Sequence, residues 1–337
     1  MISEKYINKG HYLKRILNAY IFNRSDSNLS FWHTQLSVNR LDNYDLNNVR
    51  RCPMNFAAKT AFKNHCDDKG VIMLNYHGAL GLQYNPDAIA QQALGCYDLY
   101  LDDPDQKLLD AFLTQANYFL KHGRLVKDEI ILWEYNFPFE MRNHLASPWR
   151  SALTQGQAIS VLIRAYEITK NEIYAEMAHK GYKAFHYLAR EHEGGVLDDQ
   201  DGFIWLEEYI VNPPNHVLNG FIWSLWGVRD YSLYFNDDHA KGLWNRCLET
   251  LEKNLEHYDL GFWTSYDWPQ GYDKEQPIMP SSMYYQKLHT IQMLAMYNLT
   301  GKKIFLDYHK KWLSDFQSHW KQLISQTWKA YFKLRYF

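Results

Sequence analysis

Apolar residues recur at helical spacing along most of this chain, and they do so in pairs of segments. Pro86–Tyr97 and Pro104–Leu120 read as two helices, followed by Pro148–Thr169 with Asn171–Arg190, Val217–Phe235 with Asp237–His257, and Tyr285–Leu299 with Lys302–Trp320. The first helix of each pair is apolar nearly all round, as in Phe221-Ile-Trp-Ser-Leu-Trp226, and the second is amphipathic. Tyr97, Tyr166, Tyr231 and Tyr297 close the first helices at steps of 69, 65 and 66 residues. Such regularity is the mark of a repeated unit that buries its apolar stripe on its neighbours. The pattern predicts a mainly α fold: an incomplete α/α barrel of about four helical hairpins, apolar helices inside and amphipathic ones outside.

The remainder of the chain divides around this barrel. Residues 1–85 form an N-terminal segment with a short basic amphipathic helix (Tyr12, Leu13, Ile16, Leu17, Tyr20, Ile21) and a polar stretch from Asn23 to Arg51. Its last part, Val71–Tyr76 followed by Gly78 and Gly81, reads as a strand and turn, a β-hairpin. Residues 86–320 are the barrel, and residues 321–337 a tail with four basic residues, five aromatic rings and no acid. Two placements are open for that tail: docked as a final helix on the barrel or a partner subunit, or lying on an anionic inner membrane surface. Three connections of more than twenty residues separate the hairpins: Gly123–Ser147, Glu191–Asn215 and Asp259–Met283. They carry Trp, Tyr and carboxylates where a linker would carry Gly and Ser, so they are read as functional loops gathered at one mouth of the barrel.

Composition narrows the function classes. With 36 basic and 38 acidic residues the formal charge is −2, which provides no field to gather nucleic acid. Any anion must therefore be held by a local site. The four cysteines form no CxxC, so a reduced, cytoplasmic chain is expected. No window is long and apolar enough to span a bilayer. Aromatic residues reach 16%, and the 26 tyrosines outnumber the 17 phenylalanines. Rings with a hydrogen-bonding tip suit a surface that touches sugar, although many must simply fill the core. No nucleotide-binding, zinc-protease or serine-hydrolase motif occurs, and no metal or redox cofactor is expected.

Three clusters on the mouth loops could carry chemistry. Asp201-Gly-Phe-Ile-Trp205-Leu-Glu207-Glu208-Tyr209 ends in two carboxylates and a phenol, and is either an acidic strand edge or a carboxylate that handles the phenolic proton. Phe262-Trp263-Thr-Ser-Tyr266-Asp267-Trp268-Pro269 is either a packed turn or a second phenol–acid pair. Tyr285 and His289 sit at i and i+4 on one face of the fourth inner helix, with Lys287 elsewhere near its N-terminal end. The loops place Trp133, Tyr135, Trp205, Glu207, Glu208, Tyr209, Trp263, Tyr266 and Tyr285 around one cleft. Arg142, Arg150, Lys287 and His289 are the local candidates for holding an anion. Gln155-Gly156-Gln157 and Asn219-Gly220 put amides and glycines on inner helices, where backbones crowd and polar tips can point inward.

Trp149-Arg-Ser-Ala-Leu-Thr-Gln-Gly-Gln-Ala-Ile-Ser160 followed by Arg164-Ala-Tyr166 resembles a run characteristic of the D-glucuronyl C5-epimerases. So do Glu207-Glu-Tyr209 leading to Val217-Leu-Asn-Gly-Phe221, Asp259-x-Gly leading to Tyr266-Asp267, Tyr285-x-x-x-His289, and Tyr84-Asn-Pro-Asp-Ala-Ile-Ala-Gln91. The resemblance implies inversion at C5 of D-glucuronic acid within a polysaccharide to give L-iduronic acid, without cofactor, in an incomplete α/α barrel that forms a homodimer. It implies Tyr209, Tyr266 and Tyr285 as catalytic residues with Glu208 as their acidic partner. Substrate contacts are then expected from Tyr84, Trp133, Tyr135, Trp149, Arg150, Gln157, Trp205, Glu207, Asn219, Asp267, Lys287 and His289. The chain departs from the animal enzymes at Pro269, where they carry arginine, at Gln286, where they carry histidine, and at Ile210, where proline is usual. A polysaccharide lyase or a non-catalytic glycan-binding barrel would use much the same surface. A lyase would create an unsaturated, ultraviolet-absorbing product, and a binding protein would leave the C5 hydrogen unexchanged.

Overall fold

The computed structural model of the chain describes residues 31–62, 65–76, 78–140 and 142–336. The expected helix at residues 12–21 lies outside them. Four helical hairpins follow one another: α2 (Pro86–Asp102) with α3 (Gln106–Lys121), α4 (Ala152–Thr169) with α5 (Glu172–Tyr182), α6 (Leu218–Phe235) with α7 (Asp238–Asn254), and α8 (Met283–Thr300) with α9 (Lys303–Gln317). A short helix α1 (Asn43–Asn47) precedes them and α10 (His319–Tyr336) follows. The mainly α fold read from the repeat is the one observed.

The inner helices pack side by side in the order α2, α4, α6, α8, each with its outer partner behind it. Residues 152–165 of α4 and 218–232 of α6 are buried without interruption, so both helices are walled on every side. Their contact is close because Gly156 and Gly227 meet backbone to backbone: a Cβ on Gly227 would lie 2.2 Å from the Gly156 carbonyl oxygen. The outer helices bury one stripe and solvate the other, as their amphipathic sequences require.

Side-chain caps set where the inner helices begin. Asn85, Ser151 and Ser282 each accept from a backbone N–H of the first turn of α2, α4 and α8. The third inner helix opens at Val217–Leu218 without such a cap. Helix α4 starts four residues later than its sequence pattern proposes, because Trp149 pairs through its backbone with Tyr135 and holds the chain extended up to Ser151. The arc of four hairpins stays open between α2 and α8, and residues 31–62 fill the opening. Ala57–Ala61 lies along α2, while strands β1 (Ser37–Val38) and β2 (Met54–Asn55) pair and pack on α8.

The ends of the barrel differ. At the C-terminal ends of the inner helices, the floor, buried charges meet the N-terminal segment. Arg164 pairs with Asp230 at 2.7 Å, Arg229 donates to the Leu46 carbonyl, and Asp98 accepts from Asn39 and the Phe56 N–H. At the opposite end, the mouth, the first two long connections form two-stranded ribbons: β6 (Arg124–Val126) with β7 (Ile130–Leu132), β8 (Phe139–Glu140) with β9 (His144–Leu145), and β10 (Leu197–Gln200) with β11 (Phe203–Leu206). The strand at residues 71–76 is β4 (Ile72–Asn75), between β3 (His65–Cys66) and β5 (Leu82–Gln83), so the expected hairpin is two strands of a three-stranded sheet. Helix α10 docks through Ser325, Lys329, Ala330 and Phe332 and exposes Trp320, Leu323, Ile324, Tyr331 and Leu334. Among the described residues no helix is long and apolar enough to cross a membrane.

Candidate active site

A second apolar cluster sits apart from the main core, over the first turns of the inner helices. It joins Tyr135, Trp149, Tyr209, Val217, Tyr266, Met279 and Phe332, with Tyr285 and Phe139 against it. Residues from every mouth connection and from α10 meet here. The Tyr209 and Tyr266 hydroxyls lie 3.4 Å apart, and the Tyr285 ring stands edge-on to that of Tyr266 at 4.8 Å.

Glu208 lies beneath these phenols. It is buried, Asn219 donates to its carboxyl group at 3.3 Å, and the Tyr209 and Tyr266 hydroxyls are close enough to favour its charged form. Gly220 makes room for it: a Cβ there would fall 2.2 Å from Glu208 Oε2. Burial pushes Glu208 up to about 8, and the tyrosine hydroxyls only partly offset that, with Asp87 adding its repulsion. Burial holds both phenols well above the ordinary tyrosine range, and the Glu208 charge raises them further. Neither hydroxyl is an anion at rest, so a phenol that is to take a proton must first pass its own to a neighbouring base, which Glu208 can be only once it has lost its proton.

A second carboxylate–phenol pair adjoins the first. Asp87, in the first turn of α2, accepts from Tyr135 at 2.6 Å and from Thr154 at 3.1 Å, and burial raises it to about 6. The Tyr135 ring stacks on Trp149 at 3.7 Å, nearly parallel. Asp87 was not among the sequence candidates. Its only local signal was a carboxylate at the second position of a helix, which ordinarily reads as a favourable dipole partner.

The expected residues divide by position. Tyr209, Tyr266, Tyr285, Glu208, Tyr135, Trp149 and Asn219 come together. Trp133 and Trp205 do not: both are buried in the main core, Trp133 donating to the Phe119 carbonyl and Trp205 stacked on His216 at 4.1 Å. Trp263, also placed at the cleft, is fully buried and donates to the Ser281 carbonyl. Large rings on long loops are read as a binding surface, but here they anchor the loops. Tyr84 gives its hydroxyl to Asp67 and packs on Tyr118 and His122, and Arg150 ties together the carbonyls of Ala189, His192 and Gly195. Gln157 points into the barrel, where its amide oxygen accepts from Gln91.

Glu207, adjacent to Glu208, turns the other way as strand alternation demands. It holds His216 Nδ1 at 2.5 Å, and the other ring nitrogen meets Gln200. Asp198, Glu207 and His216 are close enough to share a metal ion. Both His216 nitrogens are already engaged, and Asp198 takes Tyr272 and Arg190, so the cluster reads as a closed polar knot that anchors the loop. Asp267 is held in a two-pronged pair by Arg142, and Lys287 is exposed. His289 is fully buried, with Nδ1 on Thr264, and burial lowers it to about 3, so it is neutral.

An arc of α/α hairpins with a buried phenol–carboxylate centre at the N-terminal ends of its inner helices defines the class. The chain belongs to the D-glucuronyl C5-epimerase family: the family's C-terminal region matches residues 127–314. A D-glucuronyl C5-epimerase of Caenorhabditis elegans is 37% identical over 131 residues, 35% of this chain and 21% of that protein, so this chain matches about a fifth of the worm protein's length. An uncharacterized protein of Methanocaldococcus jannaschii is 30% identical over 266 residues, 71% of this chain and 81% of the other. Among solved structures, an unsaturated glucuronyl hydrolase of a Bacillus species aligns at 13% identity over 68% of this chain and 61% of its own, with a TM-score of 0.46. A glycosyl hydrolase family 88 protein of Bacteroides vulgatus aligns at 13% over 75% and 74%, with a TM-score of 0.43.

Proposed function

We propose that this protein inverts C5 of D-glucuronic acid within a polysaccharide, giving L-iduronic acid. The observation that carries this reading is the convergence of Tyr209, Tyr266 and Tyr285, from three separate segments, on one buried carboxylate, Glu208. Inversion requires a proton to leave one face of the sugar and another to arrive on the opposite face, which calls for two separate acid–base groups. With Glu208 in its ionised form, which grows in as pH rises toward its raised value of about 8, Tyr209 passes its proton to Glu208 and takes the C5 proton as a phenolate. The C5–H electron pair moves into the substrate carboxyl group as an enediolate. Tyr285 then delivers its proton to C5 from the other face. Tyr266, beside Glu208 and touching Tyr285, returns the proton from Glu208 to Tyr285 and resets the site. Every proton is accounted for, and C5 acquires a hydrogen other than the one it lost.

The test is incubation of glucuronate polymers with the enzyme in heavy water, followed by proton NMR. The expected result is deuterium at C5 and new iduronate signals, with the Tyr209→Phe protein at least ~100-fold slower. An unsaturated ultraviolet-absorbing product without iduronate would identify a lyase instead. Absence of exchange on every glucuronate polymer would leave a glycan-binding protein.

A further inference from the structure

An anionic sugar entering the tyrosine cluster meets Asp87, and Glu208 whenever it is ionised, and so needs a cation. Most candidates are already committed. Arg142 is paired with Asp267, Arg150 serves three backbone carbonyls, Lys287 is exposed on α8, and His289 is neutral. Among the described residues, a buried cation at the cluster comes from α10. Lys329 is 4% exposed, and its Nζ lies 5.7 Å from the centre of the Tyr266 ring and 6.0 Å from that of Phe332. Among the described residues no carboxylate lies within ion-pair distance of it; its acidic neighbour Asp267 is held by Arg142. A buried lysine without an anion is costly to keep, and a site that receives an anion would return that cost on binding.

We propose that Lys329 pairs with the carboxylate of the bound uronate, which makes the C-terminal helix part of the substrate site. This deepens the uronate reading above and rests on it. The surroundings favour such a role. Phe332, one turn further along α10, seats this stretch of the helix in the tyrosine cluster. Burial, Lys333 and Arg142 all disfavour the charged lysine, and only Asp267 favours it, so the ammonium is held well below its ordinary range. Of the other groups nearby, His289 is neutral and Tyr266 protonated. An arriving carboxylate supplies the missing counter-charge, and Lys329 takes up a proton as it binds.

The experiment measures, by calorimetry, binding of a glucuronate-containing oligosaccharide and of its carboxyl-reduced counterpart. Wild type and Lys329→Met are compared at several pH values. Methionine fills similar volume without charge, so the variant should melt at or above the wild-type temperature. Wild type is expected to bind the carboxylate form at least ~10-fold more tightly than the reduced form. That preference should fall as pH rises, because the neutral lysine must find a proton. Lys329→Met should bind both forms alike, with affinity for the reduced form unchanged, and Lys329→Arg should recover part of the preference. A Lys329→Met protein that keeps the preference and its pH dependence overturns the inference while leaving the epimerase reading intact. Wild type that binds neither form overturns both.

Discussion

At the scale of single residues, the site rests on one carboxyl group kept protonated by its surroundings. Glu208 would ordinarily titrate near 4.5 but holds its proton in the fold up to about 8. Between those values the folded protein carries a proton that the unfolded chain has lost, so stability falls as pH rises through the window. Glu208→Gln removes this penalty while keeping a side chain of the same size. The variant should be more stable than wild type at pH 8.5, by an amount on the order of 3 kcal/mol, and no more stable at pH 4.5. Thermal melts at the two pH values check it; an equal gain at both would mean that Glu208 is ionised in the fold. The adjacency of Glu208 and Tyr209 was legible in the sequence because the partners are neighbours in the chain. Asp87 and Lys329 were not legible, since a lone acid in a helix and a lysine in a basic tail look like solvated surface. Only burial by distant segments gives them a different character.

At the scale of elements, the hairpin repeat was readable because its period is set by local physics: one apolar helix, one amphipathic helix, one loop. The inner-helix glycines were also readable as crowding points, but the sequence could not say what crowds them. Two of them separate packing from chemistry. Gly227→Ala drives a methyl group into the Gly156 backbone, which cannot yield without parting α4 from α6. It should cost about 3 kcal/mol in denaturant unfolding while the molecules that remain folded keep normal turnover. Gly220→Ala meets the Glu208 side chain instead, at Oε2 and also at its Cβ 2.6 Å away, which moves only with the backbone. That variant should lose comparable stability and, beyond that, more turnover. If both variants lose turnover in proportion to stability, Gly220 has no particular bearing on the site. The tryptophans show the opposite limit. Trp133, Trp205 and Trp263 lie on mouth loops as the pattern required, yet face inward, and aromatic content alone does not tell a platform from an anchor.

At the scale of the whole molecule, the open arc of hairpins is completed from outside the repeat. The N-terminal segment closes the gap between α2 and α8 and is fastened at the floor through Arg164, Arg229 and Asp98. Arg164→Ala leaves Asp230 buried against only the more distant Arg229 and frees the Arg50 carbonyl, so it should cost about 3–5 kcal/mol, measured by chemical denaturation. A loss below ~1 kcal/mol would mean that the floor relaxes around the missing charge. The mouth is completed by α10. Residues that meet at the tyrosine cluster are therefore drawn from Tyr76 to Phe332, most of the length described. A growing polypeptide can stack its hairpins one after another as they leave the ribosome. It cannot assemble this centre until α10 has emerged, so on this reading a chain stopped short of Phe332 is a barrel without a working site.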